Sequence, residues 1–229
     1  MLADIQVSLT GIGRSSDMQV YNRIVLIEDF TAAEWCPYCP IGSFAVRDLI
    51  DDNPDEIISI QWQVQNSYFD ENDCIKAGDS TCTSVRGNLY DIAFIPSEIF
   101  NGTDIVVGAD VEWDNYGRYD SVFQNLRGMK SDYNLLISGS KNGSTVSYSV
   151  NVLNEYPFTN NDCDLHIFIV EDSISTSWAY QGIGDSIDFA NNVVRVWKTD
   201  PMFEQEGVLD YTYNSTFDFH DKPWDTNQI

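Results

Sequence analysis

The chain has 229 residues, 43% of them hydrophobic, and 36 acidic residues against 12 basic ones give it a formal net charge of −24. This length and apolar content can bury one large core or two smaller ones, which excludes a disordered chain. The negative charge disfavours nucleic acid and anionic lipid as partners. No stretch approaches the ~20 consecutive apolar residues of a membrane span, so we expect no membrane insertion.

Residues 4–9 alternate like a strand and then meet the turn Gly11-Ile12-Gly13, which predicts an N-terminal extension over 1–20 that can form a hairpin. Residues 23–30 are nearly all apolar and predict a central strand covered on both faces. Residues 40–50 carry the apolar stripe of an amphipathic helix, which ends at Asn53-Pro54. Residues 56–64 return to strand alternation, so this part predicts two parallel strands joined by a helix.

The next part predicts a short helix over 85–92 and a hairpin in which Asn101-Gly102 connects two apolar strands. A helix over 113–126 closes this domain, which we place at 21–128. Its inward-facing residues are Val122, Phe123 and Leu126.

Beyond residue 128 the pattern contains strands and turn residues and no convincing helix. It predicts an all-β, sandwich-like domain over 129–220, followed by a loose tail over 221–229. The predicted strands cover 133–138, 144–153, 164–172, 192–198 and 208–219.

Two of the five cysteines lie in residues 34–40, Glu-Trp-Cys-Pro-Tyr-Cys-Pro, directly after the first strand of the β-α-β segment. Cys36 and Cys39 are spaced so that they can form and open a disulfide on a strand-to-helix turn at little geometric cost. The spacing therefore points to redox exchange.

Cys74 and Cys82 bracket a short polar loop and predict a structural disulfide, the alternative being two unpaired loop thiols. Such a bridge favours an oxidising, extracytoplasmic compartment: periplasmic, cell-surface or secreted. We expect any signal or anchor to lie outside these 229 residues. Cys163 enters an apolar run and is predicted to be an inert buried thiol rather than a resolving or dimer-forming one.

The chain resembles the thioredoxin superfamily over residues 21–127. Four pieces occur in the family's order. They are the strand end Glu28-Asp29-Phe30, the turn at 35–39, Ile95-Pro96, and the hairpin at 100–102 that closes on Val107-Gly108. The resemblance implies an α/β thioredoxin-like domain followed by the all-β domain. The β-rich part is similar to the tail of outer-membrane-associated bacterial proteins that carry a thioredoxin-like domain, mainly at 169–172 and 191–195.

The resemblance gives Cys36 the role of attacking thiolate, stabilised at a helix N-terminus, and Cys39 the role of the resolving thiol. Pro37 fits the first helical turn, where no amide donor is needed. Trp35 shields one side of the sulfur atoms, or it is simply a core aromatic residue.

Pro96 matches the family's cis-proline, which implies that the backbone at Ile95 lies beside the cysteines and holds a substrate strand. The family also carries a buried acid that relays a proton to the second cysteine. An extra residue within 31–34 blurs the alignment here, so either Glu28 or Asp29 fits that role. Strand alternation points only one of them inward, and the alternative is that both are solvated.

The dipeptide Pro37-Tyr38 is the one seen in glutaredoxins, where the couple lies at about −200 to −230 mV. The acidic surface disfavours binding of anionic glutathione, so we expect protein substrates with cysteines and a separate redox partner, and no cofactor.

The leading hypothesis is an extracytoplasmic thiol-disulfide oxidoreductase, or isomerase, that uses Cys36 and Cys39. One alternative is a cell-surface or periplasmic binding protein in which this pair is structural. Another is a thioredoxin-like protein that handles Cu(I), a soft ion suited to thiolates.

Overall fold

The structure, a computed structural model, describes residues 21–32, 35–64, 86–131, 133–154, 163–175, 178, 189–202 and 209–220. Two helices and thirteen strands have both ends within these ranges, and residues 86–89, within the helix predicted over 85–92, are also helical. The helices are α1 (Cys39–Asp52) and α2 (Asn115–Leu126). The strands are β1 (Tyr21–Asn22), β2 (Val25–Thr31), β3 (Ile57–Gln63), β4 (Ser97–Phe100), β5 (Asp104–Val107), β6 (Lys130–Ser131), β7 (Asn134–Asn142), β8 (Thr145–Asn154), β9 (Cys163–Glu171), β10 (Ile174–Ser175), β11 (Phe189–Ala190), β12 (Val193–Met202) and β13 (Leu209–Asp218).

The chain divides into two compact units. The first unit contains residues 1–23, 128–166 and 199–227, and the second contains 24–127, 167–198 and 228–229. The sequence assigned 129–220 to one domain, whereas the structure groups 167–198 with the cysteine-containing segment. The physical reason is burial: Val193 and Val194 are 1% and 5% exposed, because they complete the core of the second unit.

The second unit is built on a mixed sheet with the strand order β5-β4-β2-β3-β12-β9. Strands β2 and β3 are parallel, with Val25 opposite Ile57 and Thr31 opposite Gln63. The chain passes from one to the other through α1, so the predicted β-α-β segment is confirmed, and Asn53 caps the helix where the sequence predicted its end.

Strands β4 and β5 form the predicted hairpin, paired antiparallel from Ser97 opposite Val107 to Phe100 opposite Asp104. Asn101 and Gly102 both have positive φ, 50° and 75°, which suits these residue types in a tight turn. The Asn101 side chain accepts a hydrogen bond from the Leu26 amide and so fixes the turn to β2.

The helices α1 and α2 cover one face of this sheet. Their apolar residues form a core with β2 and β3. Phe123 is fully buried, and Val122 and Leu126 pack against that core, as the sequence predicted for the closing helix. The opposite face carries a second core, in which Phe30 stacks near Trp62 with ring centroids 6.0 Å apart.

The first unit contains the antiparallel sheet β13-β8-β7 and the short pair β1-β6. All five strands predicted beyond residue 128 are present, and two of them, β9 and β12, join the six-stranded sheet. A sandwich-like arrangement of the rest stays a prediction.

Several expectations lie outside the described residues: the extension over 1–20, the Cys74–Cys82 disulfide and the tail over 221–229. Cys163 begins β9, and its side chain is likewise not described. None of the helices in the described ranges has both the length and the apolar content needed to cross a membrane.

Candidate active site

Cys36 and Cys39 form a disulfide with an S–S distance of 2.07 Å and a Cα–Cα distance of 5.4 Å. Cys39 is the first residue of α1, and the carbonyl of Tyr38 accepts the amide of Ile41 at 3.1 Å. The sequence predicted Pro37 in the first turn of the helix. In the structure Pro37 lies before α1, and Pro40 is the proline of the first turn. The reason is that the helix begins three residues after Cys36 rather than directly at it.

Both cysteines are buried, Cys36 with 4% of its surface exposed and Cys39 with none, whereas Tyr38 between them is 49% exposed. Of the two cysteines, only Cys36 therefore has any surface exposed to solvent, and that surface is small. Full burial of Cys39 suits a thiol that reacts inside the protein rather than with an incoming molecule.

The disulfide lies in a small apolar cluster. Trp35, Ile95 and Ile174 pack against it as partly buried residues. The contact of Trp35 with the cysteine cluster agrees with either role considered for it. The fully or nearly buried members besides the cysteines are Ala32, Trp178, Ala190 and Val193.

The Ile95–Pro96 peptide bond is cis. The carbonyl of Pro96 accepts the Gly108 amide at 2.8 Å, which ties the start of β4 to the end of β5. Because Ile95 packs against the cysteine cluster, this bend in the chain lies beside the disulfide.

Asp29 lies on the α1 face of β2. Its Oδ2 accepts hydrogen bonds from the Ser43 hydroxyl at 2.6 Å and from the Gln61 amide at 3.1 Å. Burial raises the pKa of Asp29 to about 6, and these hydrogen bonds offset part of the increase. An acid of this kind changes its charge close to neutral pH.

Glu28 lies on the opposite face of the same strand. It is fully buried and forms an ion pair with Arg86, which donates to its Oε1 at 2.5 Å and to its Oε2 at 2.8 Å. Trp62 and Tyr90 donate to it as well, at 2.9 and 2.6 Å. The expectation that only one of Glu28 and Asp29 points inward is wrong, and so is the solvated alternative, because both faces of the sheet are covered.

A second carboxyl group, that of Glu98, lies directly opposite Asp29 in the β2–β4 pair. It is fully buried, and neither of its oxygens has a hydrogen-bond partner of good geometry among the described residues. Burial and the neighbouring Asp29 charge raise the pKa of Glu98 well above its usual range, although the nearby Tyr119 hydroxyl and Arg118 act in the other direction. Burial and Glu98 likewise raise the pKa of Tyr119.

Sequence reasoning missed Glu98, Ser43, Tyr119 and Trp178. Glu98 left a usable signal: it is a charged residue inside the apolar run Ile95 to Phe100, in a strand next to the one that carries Asp29. Ser43 follows Cys39 by four positions, which puts it on the same helix face. Trp178 is far away in sequence and left no local signal.

Within the described part of the chain, no three His, Cys, Asp or Glu side chains come together as a set of metal ligands. The Cu(I) alternative stays a prediction.

No protein-family model and no curated protein matches this chain. Among solved structures it is similar to HBP35 of Porphyromonas gingivalis, with a TM-score of 0.64 and 15% sequence identity. The match covers 86% of this chain and 64% of that chain, so the present chain spans less than two thirds of the length of HBP35. At this identity the similarity concerns the fold alone.

Proposed function

We propose that this protein is a thiol-disulfide oxidoreductase with a thioredoxin-like domain, and that it exchanges disulfides with polypeptide substrates outside the cytoplasm. The observation that carries the proposal is the Cys36–Cys39 disulfide at the start of α1, in a cluster with Ile95, on the helix whose Gly42 and Ser43 approach two buried acids. A disulfide that only staples the fold has no need of titratable acids beneath it.

The exchange has two steps in the direction that reduces a substrate. The Cys36 thiolate attacks a substrate disulfide, forms a mixed disulfide and releases one substrate thiolate. The Cys39 thiolate then attacks the Cys36 sulfur, closes the Cys36–Cys39 disulfide and releases the second substrate thiolate. Two electrons pass from the protein dithiol to the substrate, and oxidation of a substrate dithiol runs the same steps in reverse.

The negative net charge of the chain favours a polypeptide substrate over glutathione. A chain with a net charge of −24 repels the anionic tripeptide glutathione, and this repulsion weakens as salt screens it. We therefore expect a neutral peptide disulfide to react faster than glutathione disulfide, with a gap that narrows at high salt.

The test uses the reduced full chain and a synthetic peptide that contains one disulfide. Wild type should release both peptide thiols, Cys39→Ala should stop at a covalent adduct on Cys36, and Cys36→Ala should do neither. Mass spectrometry identifies the adduct. A Cys39→Ala protein that gives no more adduct than Cys36→Ala contradicts the proposal.

A further inference from the structure

Four buried polar atoms without a well-formed hydrogen bond meet on the α1 face of the sheet. They are Oδ1 of Asp29, both carboxyl oxygens of Glu98 and the hydroxyl of Tyr119. Asp29 is 3% exposed, and Glu98 and Tyr119 are fully buried. The Tyr119 hydroxyl is near enough to the Glu98 carboxyl to lower its pKa, but the pairing within this buried cluster is incomplete. Buried polar groups are rarely left so poorly paired, so the cluster needs a functional explanation.

The two carboxyl groups are close because of strand register. Directly opposite residues of an antiparallel pair point to the same face, with Cβ atoms about 5 Å apart. Asp29 and Glu98 are such a pair. Two carboxylates side by side in a dry site repel strongly, so the pair holds one proton over a wide pH range.

The pair lies beneath the helical turn that begins at Cys39. Residues three and four positions apart share a helix face, which groups Cys39 with Gly42 and Ser43. Ser43 donates to Asp29, and a methyl group built on Gly42 would come within 2.5 Å of Oε1 of Glu98. The glycine is thus the residue that lets the Glu98 carboxyl approach this turn.

We propose that Glu98 is a second acid of the redox site, which keeps its proton at neutral pH so that Asp29 carries the charge and accepts the proton of the Cys39 thiol. This inference rests on the proposed exchange function. Glu98 is a positioning residue, because it acts through Asp29.

The proton step balances with the exchange. The S–H bond of Cys39 breaks, an O–H bond forms on Asp29, and the pair passes from one bound proton to two. The Cys39 thiolate then forms the S–S bond to Cys36, and the substrate sulfur leaves with the electron pair of the broken bond. Asp29 afterwards returns its proton to solvent.

Few other groups face Glu98. The charged or titratable ones among the described residues are Asp29 from β2 and Arg118 and Tyr119 from α2. The α1 helix contributes Gly42 and Ser43, which do not titrate. The pH behaviour of the site therefore belongs mainly to the two acids.

The first test is a carbon NMR titration of side-chain carboxyls in the oxidised protein, which needs no exchange activity. Asp29 should titrate near pH 6 and Glu98 at a higher pH. Asp29→Asn should lower the pKa of Glu98, because the neighbouring charge is gone, and Glu98→Gln should leave Asp29 near pH 6. A Glu98 that is already ionised at pH 6 overturns the proposal.

The second test follows closure of the disulfide from a mixed disulfide between Cys36 and a coloured aryl thiol, as a function of pH. The closure rate of Glu98→Gln relative to wild type should rise with pH and exceed it at alkaline pH, where an ionised Glu98 hinders formation of the Cys39 thiolate. Asp29→Asn should close roughly 100-fold more slowly at pH 7, a loss at the low end of general-base effects. The exposed control Glu112→Gln should follow wild type.

The outcomes separate the two proposals. A wild-type mixed disulfide that closes at no pH contradicts the exchange function, and the NMR titration still decides where the proton lies. A Glu98→Gln rate that stays below wild type at alkaline pH means that Glu98 carries the charge, which overturns its assigned role. If Glu98→Gln does not fold, Tyr119→Phe provides the check: the pKa of Glu98 should rise further, because the hydroxyl that lowers it is removed.

Discussion

Ser43 donates a hydrogen bond of 2.6 Å to Oδ2 of Asp29, which connects the helix that begins at Cys39 to the strand that leads into the cysteine turn. The acid is therefore held under the first turns of α1 rather than free to turn away. Its titration reports on the site and also on the stability of the fold.

Asp29→Asn should remove part of the pH dependence of stability. The pKa of Asp29 is 3.8 when unperturbed and about 6 in the fold. Between these values the folded state binds more protons than the unfolded one, so stability falls as pH rises through this window. The loss is up to about 3 kcal/mol, from 1.36 kcal/mol per pKa unit.

Urea unfolding of wild type at pH 4 and pH 7 should show this loss, and the asparagine variant should show much less of it. Asp55→Asn, at an exposed position, is the matched control and should behave as wild type. Equal pH dependence in wild type and Asp29→Asn would mean that Asp29 does not titrate in this window.

Gly42→Ala should destabilise the protein. An added Cβ would lie 2.5 Å from Oε1 of Glu98 and 3.2 Å from the Cβ of Pro96, distances that force neighbouring atoms to move. Overpacking of this kind costs about 1–3 kcal/mol. Gly87→Ala is the control, because its nearest contact would be an ordinary 3.6 Å. Thermal melts of both variants test this, and equal melting temperatures contradict the close approach of the Glu98 carboxyl to α1.

Glu28 and Arg86 should be strongly coupled in their effects on stability. Both side chains are at least 93% buried, since their exposed fractions are 1% and 7%. Removing one partner leaves the other charge buried and unpaired, which lowers the free energy of unfolding by about 3–5 kcal/mol. Removing both partners lowers it much less. Denaturant unfolding of Glu28→Gln, Arg86→Met and the double variant measures the coupling. Additive single effects would show that the two residues are not coupled.

Trp178→Ala should make Cys36 more accessible. Trp178 is 5% exposed and belongs to the cluster that surrounds the disulfide, so its loss opens space beside the sulfur atoms. We expect the reduced variant to be alkylated at Cys36 at least several-fold faster than wild type. Trp113→Ala, at a 50% exposed position, should leave the rate unchanged. Equal rates in all three proteins would show that Trp178 does not limit access.

The local pattern predicts much of the second unit. The apolar run 23–30, the helical stripe 40–50 and the alternation at 56–64 each follow from the period of one element. The hairpin follows from Asn101-Gly102, whose backbone requirement is local.

The pairings between distant segments carry no such signal. The apolar pattern of a strand predicts which of its faces is buried. It does not predict that Val193 pairs with Gln61 in the six-stranded sheet of the second unit. The partner of Glu28 is 58 positions away in sequence, and a lone Arg86 in a short helical segment gives no hint of it. The same holds for Glu98, whose role depends on register with Asp29.

The central claim is that the Cys36–Cys39 couple is redox-active, and its reduction potential tests that most directly. The purified protein is equilibrated in thiol buffers of graded potential, and alkylated cysteines are counted by mass for wild type and for a Cys36→Ser control. We predict half-reduction at about −200 to −230 mV, the range of couples with this dipeptide. A couple that stays oxidised below about −300 mV behaves as a structural disulfide and would contradict the account.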